Sequence, residues 1–181
     1  MKTLATSLPG ALVIELDEHV DARGRFVETY RASAYAAAGI DARFVQDNLS
    51  TSVRGTLRGL HFQAAPHAQG KLVWVTRGAI FDVVADVQRE SSTFGKWAGT
   101  MLSAENRRQL WIPPGYAHGF YALSEHADIA YKTTAEYAKD AERSVRWDDP
   151  DLAIAWPLDG APLISPKDER APSLRELTRG A

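Results

Sequence analysis

The chain has no cysteine, no strong excess of either charge and no long apolar run. Without cysteine it can form no disulfide, no thiolate nucleophile and no cysteine-ligated metal site. The 21 basic and 23 acidic residues are interspersed, so no basic stripe is available to follow a nucleic-acid backbone. The apolar runs fall short of the roughly 18 residues that a membrane helix needs, and the N-terminus lacks the apolar core of a secretory signal. These absences favour a cytoplasmic protein without a nucleic-acid or membrane partner.

The residues that are present indicate one β-rich domain spanning residues 1–181. Apolar residues make up 45% of the chain and charged residues 24%, which is ordinary usage for a globular domain. Short segments rich in β-branched and aromatic residues recur between turn signals, at residues 10–16, 24–30, 44–53, 56–63, 71–76, 79–87, 97–103, 108–113, 118–123 and 128–134. Many short strands at this spacing predict a sandwich or a barrel.

Helical signals are few and local. The segment "RASAYAAAGI" (31–40) predicts a short helix that ends at Gly39. The segment "SAENRRQL" predicts one turn capped by Ser103, and "DERAPSLRELTRG" (168–180) predicts a final short helix with Ser173 or Asp168 as its cap. Residues 135–181 carry no strand period, so we expect them to wrap the β core.

The segment "TLRGLHFQ" (56–63) contains the first candidate for chemistry, His61. Strict strand alternation places His61 and Gln63 on one face and Arg58 on the other. Arg58 and His61 can share a cavity only if a bulge breaks this alternation, and Gly59 is the residue where a bulge fits. On this segment alone, a structural histidine explains His61 as well as a catalytic one does.

Other polar residues on predicted strands have two readings each. Lys71 begins the segment "KLVWV", where it is either a cation in a cavity or a solvated charge at a sheet edge. Tyr131 in "DIAYKTT" is either a proton donor or a tyrosine at the edge of the core. The rigid turn "IPPGYAHGF" (112–120) presents His118, which is either a substrate contact or a plain loop residue. Asp82 and Asp86 share one strand face as a carboxylate pair, although edge solvation or salt bridging is the favoured interpretation.

The sequence offers no strong metal or phosphate-loop motif. His61, His67 and His118 could join a carboxylate around a metal, but Phe62 and Gln63 follow His61 where metal-dependent cupins have an H-x-H pair. We therefore expect no metal and no other cofactor. Arg23 and Arg58 can pair with phosphate oxygens, and no glycine-rich phosphate loop is present.

Several segments, taken together and in order, resemble the dTDP-4-dehydrorhamnose 3,5-epimerase family. They cover residues from about 10 to 175 and are "DARGRFVETY", "FVQDNLSTSVRGTLRGLHFQ", "QGKLVWVTRGAIFDVVADVQRESSTFGKW", "LSAENRRQLWIPPGYAHGF", "AYKTTAEYAKDAERSVRWDDPDLAIAWP" and "SPKDERAP". The resemblance implies an all-β double-stranded β-helix, that is, a jelly roll or cupin-type barrel with a few short peripheral helices. It also implies a metal-independent enzyme that acts on a dTDP-linked 4-keto-6-deoxy sugar.

The resemblance assigns roles residue by residue. "RGLHFQ" matches the motif of the general base, His61, and "AYKTT" matches that of the general acid, Tyr131. "GKLV" places Lys71 beside the developing enolate, and "SPKD" supplies Asp168 as the carboxylate partner of the base. The chemistry suits these residue types, because a proton beside a ketone can be removed only while the carbonyl oxygen is stabilised as it becomes negative.

The matching positions for substrate binding are Arg23, Phe26, Glu28, Gln46, Asn48, Arg58, His118, Tyr137, Glu142 and Lys167. The resemblance implies a homodimer in which Arg23, Phe26 and Glu28 reach the neighbouring subunit's site, and in which Tyr137 contacts the nucleotide base. Three alternatives remain at this point. They are an epimerase acting at C3 only or C5 only, a metal-dependent cupin oxygenase or isomerase, and a non-catalytic sugar-nucleotide binding module.

Overall fold

The computed structural model describes residues 1–179, and most of its regular structure is β-strand. The strands are β1 (Lys2–Ala5), β2 (Leu12–Glu15), β3 (Glu18–Asp21), β4 (Gly24–Val27), β5 (Gln46–Val53), β6 (Leu57–Gln63), β7 (Lys71–Arg77), β8 (Ala79–Asp86), β9 (Trp97–Ser103), β10 (Arg108–Ile112), β11 (Tyr116–Ala122), β12 (His126–Thr133) and β13 (Glu142–Ser144). Every segment predicted as a strand overlaps one of these. The predicted all-β class is therefore confirmed, while β1, β3 and β13 were not predicted.

Two antiparallel sheets form the body of the molecule. A six-stranded sheet has the order β1-β2-β10-β7-β12-β5, and a five-stranded sheet has the order β13-β6-β11-β8-β9. Strands β3 and β4 form a separate two-stranded hairpin. Two antiparallel sheets packed on a shared core are the jelly-roll architecture.

The core between the sheets fixes which side chains point inward. Val73 and Ile129 of the six-stranded sheet pack in one buried cluster with Val84 and Phe120 of the five-stranded sheet. Because strand side chains alternate, odd-numbered residues of β7 and β12 and even-numbered residues of β8 and β11 face the interior. The candidate residues Lys71, Tyr131, Asp82 and His118 have this inward parity.

Two layers cover the outer faces of the sheets. Helix α1 (Ala32–Ala37) contributes Tyr35 to a cluster with Leu72 and Trp111 on the outer face of the six-stranded sheet. On the other side, Val145, Leu152 and Leu174 pack against outward residues of the five-stranded sheet, including Val83 and Ala117. The segment after β13 thus returns along the five-stranded sheet, and this route brings its loop at residues 163–168 to the interior.

The helices largely follow the predictions. Helix α1 is followed by Gly39 at φ +87°, a conformation that favours glycine. Ser103 and Asn106 exchange hydrogen bonds of 3.0 Å, as expected for the predicted turn.

The helix predicted over residues 168–180 begins only at Leu174. Before it, the one-turn helix α2 (Pro166–Glu169) holds Asp168, whose N–H donates to Ser165 Oγ. Helix α3 (Leu174–Arg179) has Ser173 at its start, where Ser173 and Glu176 bond reciprocally. The predicted last residue, Gly180, lies outside the described residues. None of the helices in residues 1–179 is long and apolar enough to cross a bilayer.

Candidate active site

A cavity of about 550 Å³ opens between the two sheets. Its polar lining residues are Ser50, Thr56, Arg58, His61, Lys71, His118, Tyr131, Ser165, Lys167 and Asp168. A second cavity of about 320 Å³ adjoins it, because His61, Lys71 and Tyr131 line both. The second cavity adds Gln46, Asn48, Tyr137 and Glu142. The structure therefore brings together every predicted site residue except Arg23, Phe26 and Glu28.

A bulge in β6 explains how Arg58 and His61 reach the same cavity. His118 of β11 pairs with His61, whereas Phe120 pairs with Arg58, so β6 has one residue more than β11 over this stretch. Gly59 takes φ +128°, and a Cβ there would lie 2.5 Å from the Cα of Gly119. Only glycine fits this close approach. The structure thus has, at Gly59, the bulge on which a shared cavity for Arg58 and His61 depends.

His61 and Asp168 form a hydrogen-bonded pair in the larger cavity. Nε2 of His61 lies 2.6 Å from Oδ1 of Asp168, and the N–H of Gly59 donates to Oδ2 at 3.4 Å. Burial alone raises the pKa of Asp168, but the bonds from His61, Gly59 and Ser165 outweigh it and leave that pKa below its ordinary value. Asp168 therefore stays ionised, and it holds the His61 ring in one orientation. The other ring nitrogen of His61, Nδ1, remains available to a ligand.

Lys71 supplies a cation between the two cavities. It is partly buried at the start of β7, and its Nζ makes no hydrogen bond or ion pair within residues 1–179. Burial lowers the pKa of Lys71 to about 8, although the charges of Asp82 and Glu142 act in the opposite direction. An ammonium without a partner beside a cavity is suited to an anionic group of a ligand.

Tyr131 lies on the inner face of β12, between Val73 of β7 and Asn48 of β5. Burial raises the pKa of its phenol, with a smaller upward contribution from Glu142 against the lowering effect of Arg58. The phenol is therefore protonated at neutral pH. It projects from the six-stranded sheet, whereas His61 projects from the five-stranded sheet, so an acid and a base line one cavity from different sheets.

His118 and Asp82 form a second histidine–carboxylate pair. Nε2 of His118 lies 2.7 Å from Oδ1 of Asp82, and Asp82 is fully buried. Of the readings given for Asp82, the structure supports salt bridging, here with His118, and excludes edge solvation. Sequence reasoning did not assign Asp82 to the site. The available signal was that Asp82 and Asp86 share the face of Ile80 and Val84 in a strand whose other residues are apolar.

The smaller cavity is bordered by a chain of polar contacts. Lys167 Nζ lies 2.6 Å from Glu142 Oε1, and the Tyr137 hydroxyl donates to Glu142 Oε2 at 3.0 Å. The Tyr137 N–H donates to Gln46 Oε1, and Gln46 in turn donates to Asn48 Oδ1. Burial raises the pKa of Glu142, but its bonds to Lys167 and Tyr137 bring the pKa below its ordinary value. The substrate-binding residues predicted on separate segments thus contact one another.

The other three predicted residues lie on or beside the β3–β4 hairpin. Arg23 bonds to Asp21, and Glu28 pairs with Arg31. Phe26 is 68% exposed and stacks on His19. None of the three lines either cavity of this subunit.

The three histidines considered for a metal do not all come together. His67 is exposed and lines neither cavity. Across residues 1–179, no three His, Asp or Glu side chains lie close enough together to hold a metal ion. The arrangement seen here instead offers a base, an acid and cations to one ligand.

The fold and the lining residues define a cupin-type β-barrel with acid–base groups in its cavity. Residues 5–176 match the family model described as dTDP-4-dehydrorhamnose 3,5-epimerase. The dTDP-4-dehydrorhamnose 3,5-epimerase of Pseudomonas aeruginosa is 51% identical over 94% of this chain and 94% of its own length. This chain belongs to the dTDP-4-dehydrorhamnose 3,5-epimerase family, whose curated members are isomerases of sugar nucleotides.

Solved structures agree with this assignment. A dTDP-6-deoxy-D-glucose 3,5-epimerase from Legionella pneumophila, in complex with dTDP-4-keto-L-rhamnose, matches with a TM-score of 0.93 at 48% identity, over 96% of this chain and 93% of that one. A 3′-monoepimerase from Streptomyces bikiniensis, in complex with dTDP-quinovose, matches with a TM-score of 0.91 at 39% identity, over 96% and 88%. These neighbours confirm the predicted cupin-like jelly roll.

Proposed function

We propose that this protein catalyses epimerisation at C3 and C5 of a dTDP-linked 4-keto-6-deoxyhexose, converting dTDP-4-dehydro-6-deoxyglucose to dTDP-4-dehydrorhamnose. The observation that carries the proposal is the grouping of His61–Asp168, Lys71 and Tyr131 around one cavity in a member of this family. Curated relatives with this activity in their names, at about half identity over nearly the whole chain, support it.

The proposed reaction moves protons and no other atoms. His61 takes the proton from C3, and the electrons of the broken C–H bond form a double bond between C3 and C4. The ketone oxygen on C4 becomes the negative enolate oxygen, which faces Lys71. Tyr131 gives its phenolic proton to the opposite face of C3, so the carbon is inverted. His61 then releases its proton to water, and Tyr131 regains one. The same C4 ketone activates C5, and a second cycle inverts it.

The remaining cavity residues are proposed to bind the nucleotide diphosphate. Arg58 supplies a guanidinium for phosphate oxygens, and Tyr137 supplies an aromatic face for the base. Gln46, Asn48, Glu142, Lys167 and His118 are the other proposed contacts. The contacts that link Lys167, Glu142, Tyr137, Gln46 and Asn48 support this, because a linked set of polar groups holds each member in a defined position.

We also propose a homodimer in which the β3–β4 hairpin completes the neighbouring subunit's site with Arg23, Phe26 and Glu28. Exposed Phe26, and the free edge of β5 with exposed Leu49 and Val53, support a partner surface. We further propose that the chain acts as a single domain, with residues 135–181 wrapping the barrel, and that it works in the cytoplasm without a metal or other cofactor.

Inversion at one carbon only is the second candidate function. The 3′-monoepimerase from Streptomyces bikiniensis shares the fold at a TM-score of 0.91, so the fold alone does not distinguish one inversion from two. Both reactions need the same base, acid and enolate cation. They differ in how the sugar ring sits between His61 and Tyr131.

Product analysis tests the proposal. Purified protein is incubated with dTDP-4-keto-6-deoxyglucose, and the product is reduced at C4 and examined by NMR. A sugar of the L-rhamno series, inverted at both C3 and C5, supports double epimerisation, while a sugar inverted at one carbon supports the second candidate. Unchanged substrate contradicts both. Activity that disappears on chelation and returns with iron or nickel would instead support a metal-dependent cupin.

A further inference from the structure

Asp82 is buried in a way that the fold alone does not explain. It has no exposed surface on the inner face of β8, and its Oδ1 contacts His118 Nε2 at 2.7 Å. Its Oδ2 is also buried and makes no hydrogen bond within the described part of the chain. A buried carboxylate with an unused oxygen costs folding free energy, and the cost is offset only where positive charge faces it.

Asp86 provides a comparison within the same strand. It is equally buried and has the same inward parity. Both of its oxygens are used, because Oδ1 accepts from the N–H of Gln88 and Oδ2 accepts from the hydroxyls of Ser91 and Thr93. Asp86 therefore orders the loop after β8. Asp82 orders no loop, and its one hydrogen bond leads to the cavity.

Two cavity residues interact with Asp82. One is His118, whose Nε2 is committed to Asp82, so Nδ1 is the ring nitrogen left for a ligand. The other is Lys71: burial lowers its pKa, and the charge of Asp82 acts in the opposite direction. The other titratable or charged groups around Lys71 are Arg58 and His61 on β6, Tyr131 on β12, Glu142 on β13, and Lys167 and Asp168 on α2. Among these, Glu142 also acts to keep Lys71 charged.

We propose that Asp82 is a positioning residue for the epimerisation: its contact with His118 fixes that ring at the cavity wall, and its charge keeps Lys71 protonated, so that the Lys71 ammonium donates to the enolate oxygen on C4. This inference rests on the proposed function. Asp82 does not touch the substrate and acts through His118 and Lys71. The enolate is thereby stabilised by the Lys71 ammonium, whose charge one buried carboxylate supports.

The test replaces Asp82 with asparagine, which has the same shape and retains an oxygen to accept from His118. We expect kcat to fall by about 10- to 100-fold with KM changed by less than about threefold, because the lost interaction matters mainly in the transition state. We also expect the alkaline limb of the kcat–pH profile, near pH 8 in the wild type, to move to lower pH by roughly one unit. A purely structural role would not move this limb.

Asp86→Asn is the matched control, since it neutralises a buried carboxylate of the same strand outside the site. We expect Asp86→Asn to keep kcat and the pH profile while lowering the midpoint of thermal unfolding. Asp82→Asn should leave that midpoint unchanged or raise it, because it removes a buried charge. Asp82→Ser serves as a second neutral variant if Asp82→Asn does not fold. Equal kinetic effects at Asp82 and Asp86, or an unmoved alkaline limb in Asp82→Asn, would overturn the proposal.

A measurement that needs no turnover separates this inference from the proposed function. The rate at which a lysine-acylating reagent labels Lys71 is followed against pH by peptide mass spectrometry. In Asp82→Asn, Lys71 should become reactive at lower pH than in the wild type, and in Asp86→Asn it should not. If wild-type protein fails to epimerise the sugar, the proposed function is wrong, and this labelling still decides whether Asp82 controls the charge of Lys71.

Discussion

His61 depends on Asp168 at the scale of single residues. The 2.6 Å bond fixes the imidazole, and in the proposed mechanism Nδ1 is the atom that accepts a proton from the substrate. Because the buried carboxylate is ionised, it also stabilises the imidazolium that forms when His61 accepts a proton. The pair therefore suits the role proposed for His61, because it fixes the ring and places a negative charge beside it.

We predict that His61→Ala lowers kcat by at least about 10³-fold, the effect expected on loss of a general base. The steady-state rate of epimer formation measures this. His67→Ala is the matched control, since His67 is exposed and lines neither cavity. A His61→Ala variant with more than a tenth of wild-type kcat would remove His61 from the mechanism.

The pH dependence of turnover follows from Lys71. Burial lowers the pKa of Lys71 from 10.5 to about 8, so the cation is present below pH 8 and is lost above it. We predict that kcat falls as the pH rises through about 8. Stability changes in the opposite sense: between pH 8 and 10.5 the unfolded chain binds more protons at Lys71, so this group's contribution to the free energy of unfolding rises with pH. A kcat that stays level up to pH 10 would contradict the assignment of Lys71.

Residue chemistry alone left several roles undecided in the sequence. His61 and Lys71 each had a plain structural reading, because one strand segment shows parity but not what lies opposite it. The family resemblance selected these residues, and the structure then placed them together. Asp82 was missed as part of the site because its partner His118 lies 36 positions away in sequence.

At the scale of elements, the bulge in β6 is the feature on which the site depends. We predict that Gly59→Ala lowers the free energy of unfolding by more than about 2 kcal/mol, because Gly59 has φ +128° and the added Cβ would meet the Gly119 backbone at 2.5 Å. It should also reduce kcat, since Arg58 and His61 would no longer face one cavity. Chemical denaturation and steady-state kinetics measure the two effects. Gly39→Ala is the control, because Gly39 also has positive φ but a Cβ there meets nothing within 4 Å.

A stable, active Gly59→Ala variant would show that Arg58 and His61 reach the cavity by another arrangement. The glycine position itself was predictable from sequence, since both side chains could face inward only if alternation broke between them. Strands β1, β3 and β13 were not predictable in the same way. They have only three or four residues, and β3 (Glu18–Asp21) is exposed throughout and carries no alternating pattern.

At the scale of the whole molecule, the proposed active site needs residues from a second subunit. Arg23, Phe26 and Glu28 lie on and beside the hairpin, outside the two cavities that His61 lines, while the other proposed contacts line those two cavities. The sequence could group all of them by resemblance. It could not show which of them share a subunit, because that depends on how two copies meet.

Subunit mixing tests this arrangement. Arg23→Ala and His61→Ala proteins, each of low activity, are unfolded and refolded together. If Arg23 serves the neighbouring site, mixed dimers contain one intact site, and activity should recover to about a quarter of the wild-type value. His61→Ala mixed with Tyr131→Phe is the matched control and should show no recovery, since both residues line the same cavity of one chain. A lack of recovery in the first mixture would contradict the shared site.

Solvent deuterium incorporation tests the central claim most directly. The wild-type protein is incubated in D2O with dTDP-4-keto-6-deoxyglucose, and deuterium at each ring carbon is measured by NMR. The account predicts deuterium at both C3 and C5, with none at C2, and no incorporation above the rate without enzyme in His61→Ala. Inverted product that contains no deuterium at either carbon would contradict proton transfer through an enolate, and with it the roles given to His61, Lys71 and Tyr131.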